Sequence, residues 1–125
     1  MEQLFKSNSS AYAIPGILPK AHVDLSVIIQ QVCDFYKISA ARLYSKTRKR
    51  EICEPRQICM FLGRNYLKMT LQQCATTFNK DHATVLHGSR IVTNLYQTNC
   101  EFRKNMHSLL TQIGIDQEVL GFKIY

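Results

Sequence analysis

The sequence predicts a small all-α domain, and three observations support this fold class. The chain has 125 residues, enough to enclose one hydrophobic core. Apolar residues recur in several stretches at the i, i+3, i+4, i+7 spacing of amphipathic helices. Between residues 70 and 96, two such stretches flank a short break, and each follows a side chain that caps helices well. A short helix, a tight turn and a longer second helix form a helix-turn-helix.

The first predicted helix follows a segment without periodicity. Residues 1–21 contain Ser-Asn-Ser-Ser and two prolines, so they are expected to be a flexible arm. The helix starts after Asp24, and its apolar face is Leu25, Ile28, Ile29, Val32, Phe35 and Tyr36. Ser39 is a good N-cap for a short second helix with the sequence AARLYS.

A third helix is expected to open at Glu54-Pro55. Proline is preorganised for the first helical position, and an acid there complements the helix dipole. Its buried stripe is predicted to be Ile58, Cys59, Leu62 and Tyr66. After Tyr96 the helical pattern resumes loosely through Ile113, so we divide the chain into an arm (1–21), a helix-turn-helix domain (22–97) and a C-terminal helix and tail (98–125). The last helix either packs over the core or serves an interaction.

The sequence contains an N-cap signal at the start of each helix of the helix-turn-helix. Thr70 followed by Gln73 fits the capping box, and Asp81 is a good N-cap for the second helix. The inward face of that helix is predicted to be Val85, Gly88, Ser89, Val92 and Tyr96, and the outward face His82, Ala83, His87, Arg90 and Asn94. Short polar groups and methyls at an exposed helix tip are suited to reading base edges in a DNA major groove.

The positive charge is concentrated in one third of the chain. The formal charge is +7, and residues 37–68 contain nine basic residues against Glu51 and Glu54, which accounts for the whole excess. Four cations lie in the five residues from Lys46 to Arg50. Such a patch favours nucleic acid as a partner first and acidic membrane lipid second. A basic surface that only maintains solubility explains the composition equally well.

Several function classes lack sequence support. No apolar run reaches the roughly 20 residues that a membrane span needs, and the N-terminus lacks the pattern of a signal peptide, so a cytoplasmic protein without a membrane partner is expected. Five cysteines without a CxxC pair indicate neither a zinc site nor a disulfide framework, and Cys33, Cys59 and Cys74 are expected to be buried thiols. No catalytic constellation is evident, so we expect no enzyme, no cofactor and no metal.

The strongest motif also carries a family resemblance. The string Asp81-His82-Ala83-Thr84-Val85-Leu86-His87 resembles Asp-His-Thr-Thr-Val-Leu-His in the C-terminal DNA-binding domain of the bacterial replication initiator DnaA. Phe35-Tyr36-Lys37-Ile38, Ser45-Lys46 and Pro55-Arg56-Gln57 follow the family's order at nearly its spacing, so the similarity covers roughly Val23 to Tyr96. It implies a Trp-repressor-like helical domain that binds double-stranded DNA, as in DnaA-box recognition during replication initiation or its regulation. The family's ATPase phosphate loop is missing, which suggests a stand-alone version or a fragment.

The resemblance implies roles for individual residues. Arg48 stands where the family has its minor-groove arginine, and Lys46 where a backbone contact is expected. Arg56 and Arg64 are implied phosphate contacts. With the contacts expected at the ends of the two helices, the predicted DNA-binding set is Lys46, Arg48, Arg56, Arg64, Thr70, Lys80, Asp81, His82, Ala83, Thr84 and His87.

Two departures from the family pattern leave the bound sequence open. Ala83 replaces the usual threonine, which removes a hydroxyl but keeps a methyl. Phe78-Asn79-Lys80 replaces Phe-Gly-Gly-Arg, one residue shorter and without glycine, although asparagine can adopt the left-handed conformation. A helix-turn-helix regulator of a mobile element and a basic protein-interaction module remain alternatives. Other replication or regulatory proteins are further candidate partners, and the oligomeric state stays open.

Overall fold

A computed structural model of the chain describes residues 24–115, and this part is all-helical. The helices are α1 (Leu25–Tyr36), α2 (Ala40–Leu43), α3 (Arg50–Asn65), α4 (Leu71–Phe78), α5 (His82–Thr98) and α6 (Cys100–Ile113). The predicted all-α fold with a helix-turn-helix at α4 and α5 is confirmed. The arm expected at residues 1–21 and the tail from residue 116 onward lie outside the described residues.

Helix α3 lies at the centre of the domain and packs against α1, α2, α4 and α5. It is buried on most sides, since its core residues include Ile52, Ile58, Cys59, Met60, Phe61 and Leu62. Gly88 lets α5 approach α3 closely. A Cβ at this position would lie 3.2 Å from Cγ of Gln57 and 3.3 Å from Sδ of Met60. The inward position predicted for Gly88 is therefore confirmed.

The predicted start of the third helix is wrong. Helix α3 begins at Arg50, and the backbone N–H groups of Ile52 and Cys53 already donate to the carbonyl of Lys49, at 3.0 and 2.8 Å. Pro55 therefore lies inside the helix. Pro55 has no N–H to donate to the carbonyl of Glu51, so the helix lacks one backbone hydrogen bond. Glu51 is exposed and lies in the first turn, near the helix N-terminus, where proline is tolerated best. The basic stretch between α2 and α3 is shortened to residues 44–49, which we name the basic loop.

Helix α6 packs over the core, which was one of the two roles expected for it. Asn99 caps its start by accepting from the backbone N–H of Phe102 at 3.0 Å, and Gly114 ends it at a φ of 93°. Its buried face consists of Phe102, Met106, Leu109 and Leu110. The helix also holds α5, because the hydroxyl of Tyr96 lies 2.6 Å from Nε2 of His107. Helix α5 is therefore held against α3 on one side and against α6 on another.

The three cysteines predicted to be buried are buried and free. Cys33 is 4 % exposed, and Cys59 and Cys74 are fully enclosed. Burial raises the pKa of the Cys59 thiol, which keeps it in the neutral form. These side chains act as small hydrophobic residues.

None of the helices in residues 24–115 is both long enough and apolar enough to cross a membrane.

Candidate nucleic-acid interface

The turn between α4 and α5 forms without glycine. Asn79 adopts the left-handed conformation at a φ of 53°, and its N–H donates to the carbonyl of Thr76 at 3.2 Å. The N–H of Lys80 donates to the carbonyl of Ala75 at 2.9 Å. These two bonds satisfy the last carbonyls of α4 in a Schellman arrangement. Asparagine thus supplies the left-handed residue expected at this turn, and three residues separate α4 from α5.

Both predicted helix caps of the helix-turn-helix are present. Thr70 and Gln73 form a reciprocal capping box, in which the N–H of Gln73 donates to Oγ1 of Thr70 at 3.0 Å and the N–H of Thr70 to Oε1 of Gln73 at 2.9 Å. Asp81 caps α5 by accepting from the N–H of Thr84 at 2.8 Å. The side chain of Thr84, and then its backbone N–H, lower the pKa of the Asp81 carboxyl. The carboxylate at the helix tip is therefore charged near neutral pH.

The tip of α5 presents its predicted outward face to solvent. Asp81, His82, Ala83, Thr84 and His87 are exposed, whereas Val85, Gly88, Val92 and Tyr96 are buried. The ring of His82 also contacts α4, because its Nε2 lies 3.2 Å from Oε1 of Gln72. The exposed tip thus presents a carboxylate, an imidazole and a methyl side by side.

Arg56 has a different environment from the one expected. Its side chain is only 6 % exposed, and its guanidinium points into the back of the basic loop. Nε donates to the carbonyl of Leu43 at 2.8 Å, Nη2 to that of Ser45 at 2.8 Å and Nη1 to that of Thr47 at 3.2 Å. The guanidinium is thus held by three backbone carbonyls of the preceding segment. These bonds fix the path of the basic loop, and a phosphate contact by the remaining N–H groups of Arg56 stays a prediction.

Arg64 is half-buried and links α3 to α4. Its Nη1 donates to the carbonyl of Met69 at 2.6 Å, immediately before the Thr70 cap. This bond holds the guanidinium near the N-terminus of α4, where the first backbone N–H groups have no partner within the helix. The neighbourhood is electropositive and suited to an anion.

A groove of about 640 Å³ separates the basic loop from α5. Its walls bring together six of the predicted DNA-binding residues: Lys46, Arg48, Arg56, Lys80, Thr84 and His87. Gln57 and Met60 of α3 also line this groove. A second groove, of about 630 Å³, runs between α4 and the tip of α5 and is lined by Asp81, His82, Ala83 and Gln72, among others. Lys80 lines both grooves, whereas Arg64 and Thr70 line neither.

The cations of the basic loop have no carboxylate partner within residues 24–115. In this part of the chain the only ion pair joins Nε of Arg50 to Oε1 of Glu54, at 3.9 Å. The other oxygen of Glu54 accepts from the hydroxyl of Tyr36 at 3.2 Å. Lys46, Arg48 and Lys49 are exposed, and no carboxylate of residues 24–115 pairs with their charges. Residues 24–115 contain no group of three His, Cys, Asp or Glu side chains that could hold a metal ion.

Two glutamines in these grooves were absent from the predicted set. Gln57 lines the groove beside the basic loop, one residue after the arginine that organises this loop. Gln72 lines the second groove and contacts His82. Position in the motif could have indicated Gln72, because the first turn of α4 borders the tip of α5 in a helix-turn-helix. The position of Gln57 in the groove depends on how α3 packs against α5, and no local sequence pattern predicts this packing.

Comparison with known proteins agrees with the helix-turn-helix fold. The family described as the bacterial DnaA protein helix-turn-helix matches residues 25–92, more than half of the chain. The chain is 40 % identical over 80 residues to the chromosomal replication initiator protein DnaA of Desulfatibacillum aliphaticivorans, which is 64 % of this chain and 18 % of the relative. It is 39 % identical over 105 residues to the DnaA protein of Leptothrix cholodnii, which is 82 % of this chain and 21 % of the relative. The chain thus spans about a fifth of the length of these relatives. It belongs to the bacterial DnaA helix-turn-helix family.

Proposed function

We propose that this chain binds double-stranded DNA sequence-selectively, with the tip of α5 in the major groove and Arg48 in the adjacent minor groove. Membership of the DnaA helix-turn-helix family implies DNA binding in replication initiation. The placement of the two binding elements in two DNA grooves is supported by one observation. A groove on the protein separates the cations of the basic loop, which pair with no carboxylate of residues 24–115, from Lys80, Thr84 and His87. One DNA backbone lying along this groove would have a helix tip on one side and an arginine on the other.

On the major-groove side, the tip of α5 offers three different chemistries. One oxygen of Asp81 caps the helix, and the carboxylate retains capacity to accept a hydrogen bond from cytosine N4. His82 can bond a base edge, and the methyl of Ala83 can pack against a thymine methyl. The missing hydroxyl at Ala83 weakens discrimination at one base pair, by about 1–3 kcal/mol if threonine made a good contact there. We therefore expect the preference to be relaxed or changed at one base pair relative to the family's box.

On the minor-groove side, the basic loop offers exposed charge on a fixed backbone. Arg56 holds the carbonyls of Leu43, Ser45 and Thr47, so the loop is ordered before DNA arrives. Preorganisation of this kind lowers the entropy cost of binding. Arg48 would enter the narrow groove, where negative potential is enhanced. Lys46, Arg64, Thr70 and Lys80 would contact phosphates and set the position of the domain on the duplex.

Selection of bound sequences from random duplexes tests this proposal. We expect enrichment of one box, and a steep fall in affinity with salt, with a logarithmic slope of about −5 if about six phosphates are contacted. Anionic liposomes at matched charge serve as the control, because a general polyanion binder would treat them alike. Binding without enrichment, or equal binding to liposomes, would contradict the proposal. The sequence of the enriched box also separates a replication role from a mobile-element regulator.

A further inference from the structure

One side-chain contact connects the two helices of the helix-turn-helix at the exposed surface. Gln72 is the second residue of α4, and its Oε1 lies 3.2 Å from Nε2 of His82, the first residue of α5. Both side chains are exposed, and both line the groove between α4 and the α5 tip. The contact therefore lies on the surface that would face base edges.

Gln72 has no evident structural duty. The capping box of α4 uses Thr70 and the neighbouring Gln73 instead. Within residues 24–115, the bond to His82 is the only side-chain hydrogen bond that Gln72 makes. An exposed glutamine without a folding role, bonded to a residue at the helix tip, is well placed to influence what that tip reads.

The contact favours one hydrogen-bonding pattern for the pair. With Oε1 of Gln72 as acceptor, the imidazole of His82 carries its proton on Nε2, and the neutral ring keeps a lone pair on Nδ1. The amide nitrogen of Gln72 retains its two N–H donors. The pair as a unit thus offers one donor group and one acceptor. In the major groove, adenine presents the complementary acceptor N7 and donor N6, whereas guanine presents two acceptors.

We infer that Gln72 is a specificity-determining residue that orients His82 and, together with it, favours adenine over guanine at one base pair of the bound site. The inference rests on the proposed function, since it names a base preference of the same surface. Gln72 lies outside the recognition helix and in the first turn of α4, so the reading surface extends across the turn of the motif.

Two substitutions of Gln72 separate orientation from base contact. Gln72→Ala removes both the bond to His82 and the amide donors. Gln72→Glu keeps an oxygen for Nε2 of His82 but has no N–H for adenine N7. Gln30→Ala is the matched control, because it removes another exposed glutamine with one side-chain hydrogen bond, to Asp34 at 3.0 Å on α1. Each variant, His82→Ala and the Gln72/His82 double alanine variant are measured against the selected duplex with every base at every position. The imidazole ¹⁵N shifts of the free proteins report which ring nitrogen carries the proton.

We expect Gln72→Ala to lose adenine preference by about fivefold or more at the base pair where His82→Ala loses it. The double variant should then be no worse than His82→Ala alone, since the residues act as a unit. Gln72→Glu should keep the ¹⁵N pattern of a ring protonated on Nε2 and lose the adenine preference, and Gln30→Ala should change neither readout.

An unchanged base profile in Gln72→Ala, a loss at a different base pair from His82→Ala, or additive losses in the double variant would overturn the inference. Imidazole ¹⁵N shifts of His82 that stay the same in Gln72→Ala would also overturn the inference. Failure of the proposed function is a separate result, because it appears in the unmodified protein as binding without any base preference, and the inference then falls with it.

Discussion

The tip of α5 and the basic loop form opposite walls of one groove but are held in place by different means. The tip is ordered locally, since Asp81 caps α5 from within the same turn and Asn79 closes α4 two residues earlier. The basic loop has no helix of its own. Its path depends on Arg56, which comes from α3 and binds carbonyls 9 to 13 residues earlier in the chain.

This difference separates two ways of preparing a binding surface. A helix tip is positioned by caps and by a buried face, so its outward residues can change without loss of the fold. A loop with unpaired cations needs an internal anchor, and here the anchor is itself an arginine. Substitutions in the two walls should therefore have different effects. Substitution of the anchor should lower both stability and DNA affinity, whereas substitution of an outward residue should lower DNA affinity alone.

The largest expected effect is on the loop anchor. Arg56→Ala removes a buried guanidinium and leaves three backbone carbonyls without their donor, so we expect a loss of roughly 2–4 kcal/mol in the free energy of unfolding. DNA affinity should fall as well, because the loop loses its fixed path. Urea unfolding measures the stability, and amide exchange of residues 44–49 measures the order of the loop.

Arg50→Ala is the control for the anchor, since Arg50 is an exposed arginine of the same helix with one ion pair. It should cost less than about 1 kcal/mol. If Arg56→Ala left stability unchanged and lowered only the salt dependence of DNA binding, Arg56 would be a phosphate contact as first expected, and the anchor role would be refuted.

The next effect concerns the outward side of the same loop. Arg48→Ala should leave the unfolding transition unchanged, since the side chain is exposed, and should weaken DNA binding by about tenfold, with a change in the salt slope of about 1. Titration of the selected duplex at several salt concentrations measures both. An equal loss from Lys49→Ala would show that the loop contributes charge without a specific minor-groove contact.

A smaller effect is expected at the turn. Asn79 is left-handed at a φ of 53°, so Asn79→Ala should lower the free energy of unfolding by about 1 kcal/mol, whereas Asn79→Gly should be close to neutral. Thermal unfolding of the two variants measures the difference. Equal stability of the alanine and glycine variants would mean that the turn relaxes to another conformation.

The smallest effect is the acid response of the α5 cap. Hydrogen bonds from Thr84 lower the pKa of the Asp81 carboxyl below its ordinary value of 3.8. Its contribution to stability is therefore fully present above pH 3.8 and is lost as the pH falls through the lowered pKa. Asp81→Asn keeps a capping oxygen, so it should change neutral-pH stability little, weaken this acid response and loosen base preference. Acid titration of α5 helicity that is identical in both proteins would contradict the assigned cap.

Local signals in the sequence predicted the tip of α5 almost completely. Thr70, Gln73, Asn79 and Asp81 each act within four residues, so their spacing was sufficient to identify caps and turn. The start of α3 was missed because proline usually marks a first turn, whereas tertiary packing extended this helix upstream. The inward position of Arg56 was missed because its partners lie on another segment, and a basic side chain is read as exposed by default. The hydrogen bonds that Arg56 makes to a distant segment could not be predicted from the local sequence pattern.

Inosine·cytosine pairs in the selected duplex test most directly whether the chain reads both the major and the minor groove of DNA. Such a pair lacks the guanine N2 amino group, so it resembles A·T in the minor groove and G·C in the major groove. We predict two adjacent blocks of A·T positions. The first tolerates inosine·cytosine, and Arg48→Ala removes its discrimination against G·C. The second does not tolerate inosine·cytosine and responds to substitution of the α5 tip. If every A·T position responded alike, or if Arg48→Ala left the tolerant block unchanged, this chain would not read both grooves.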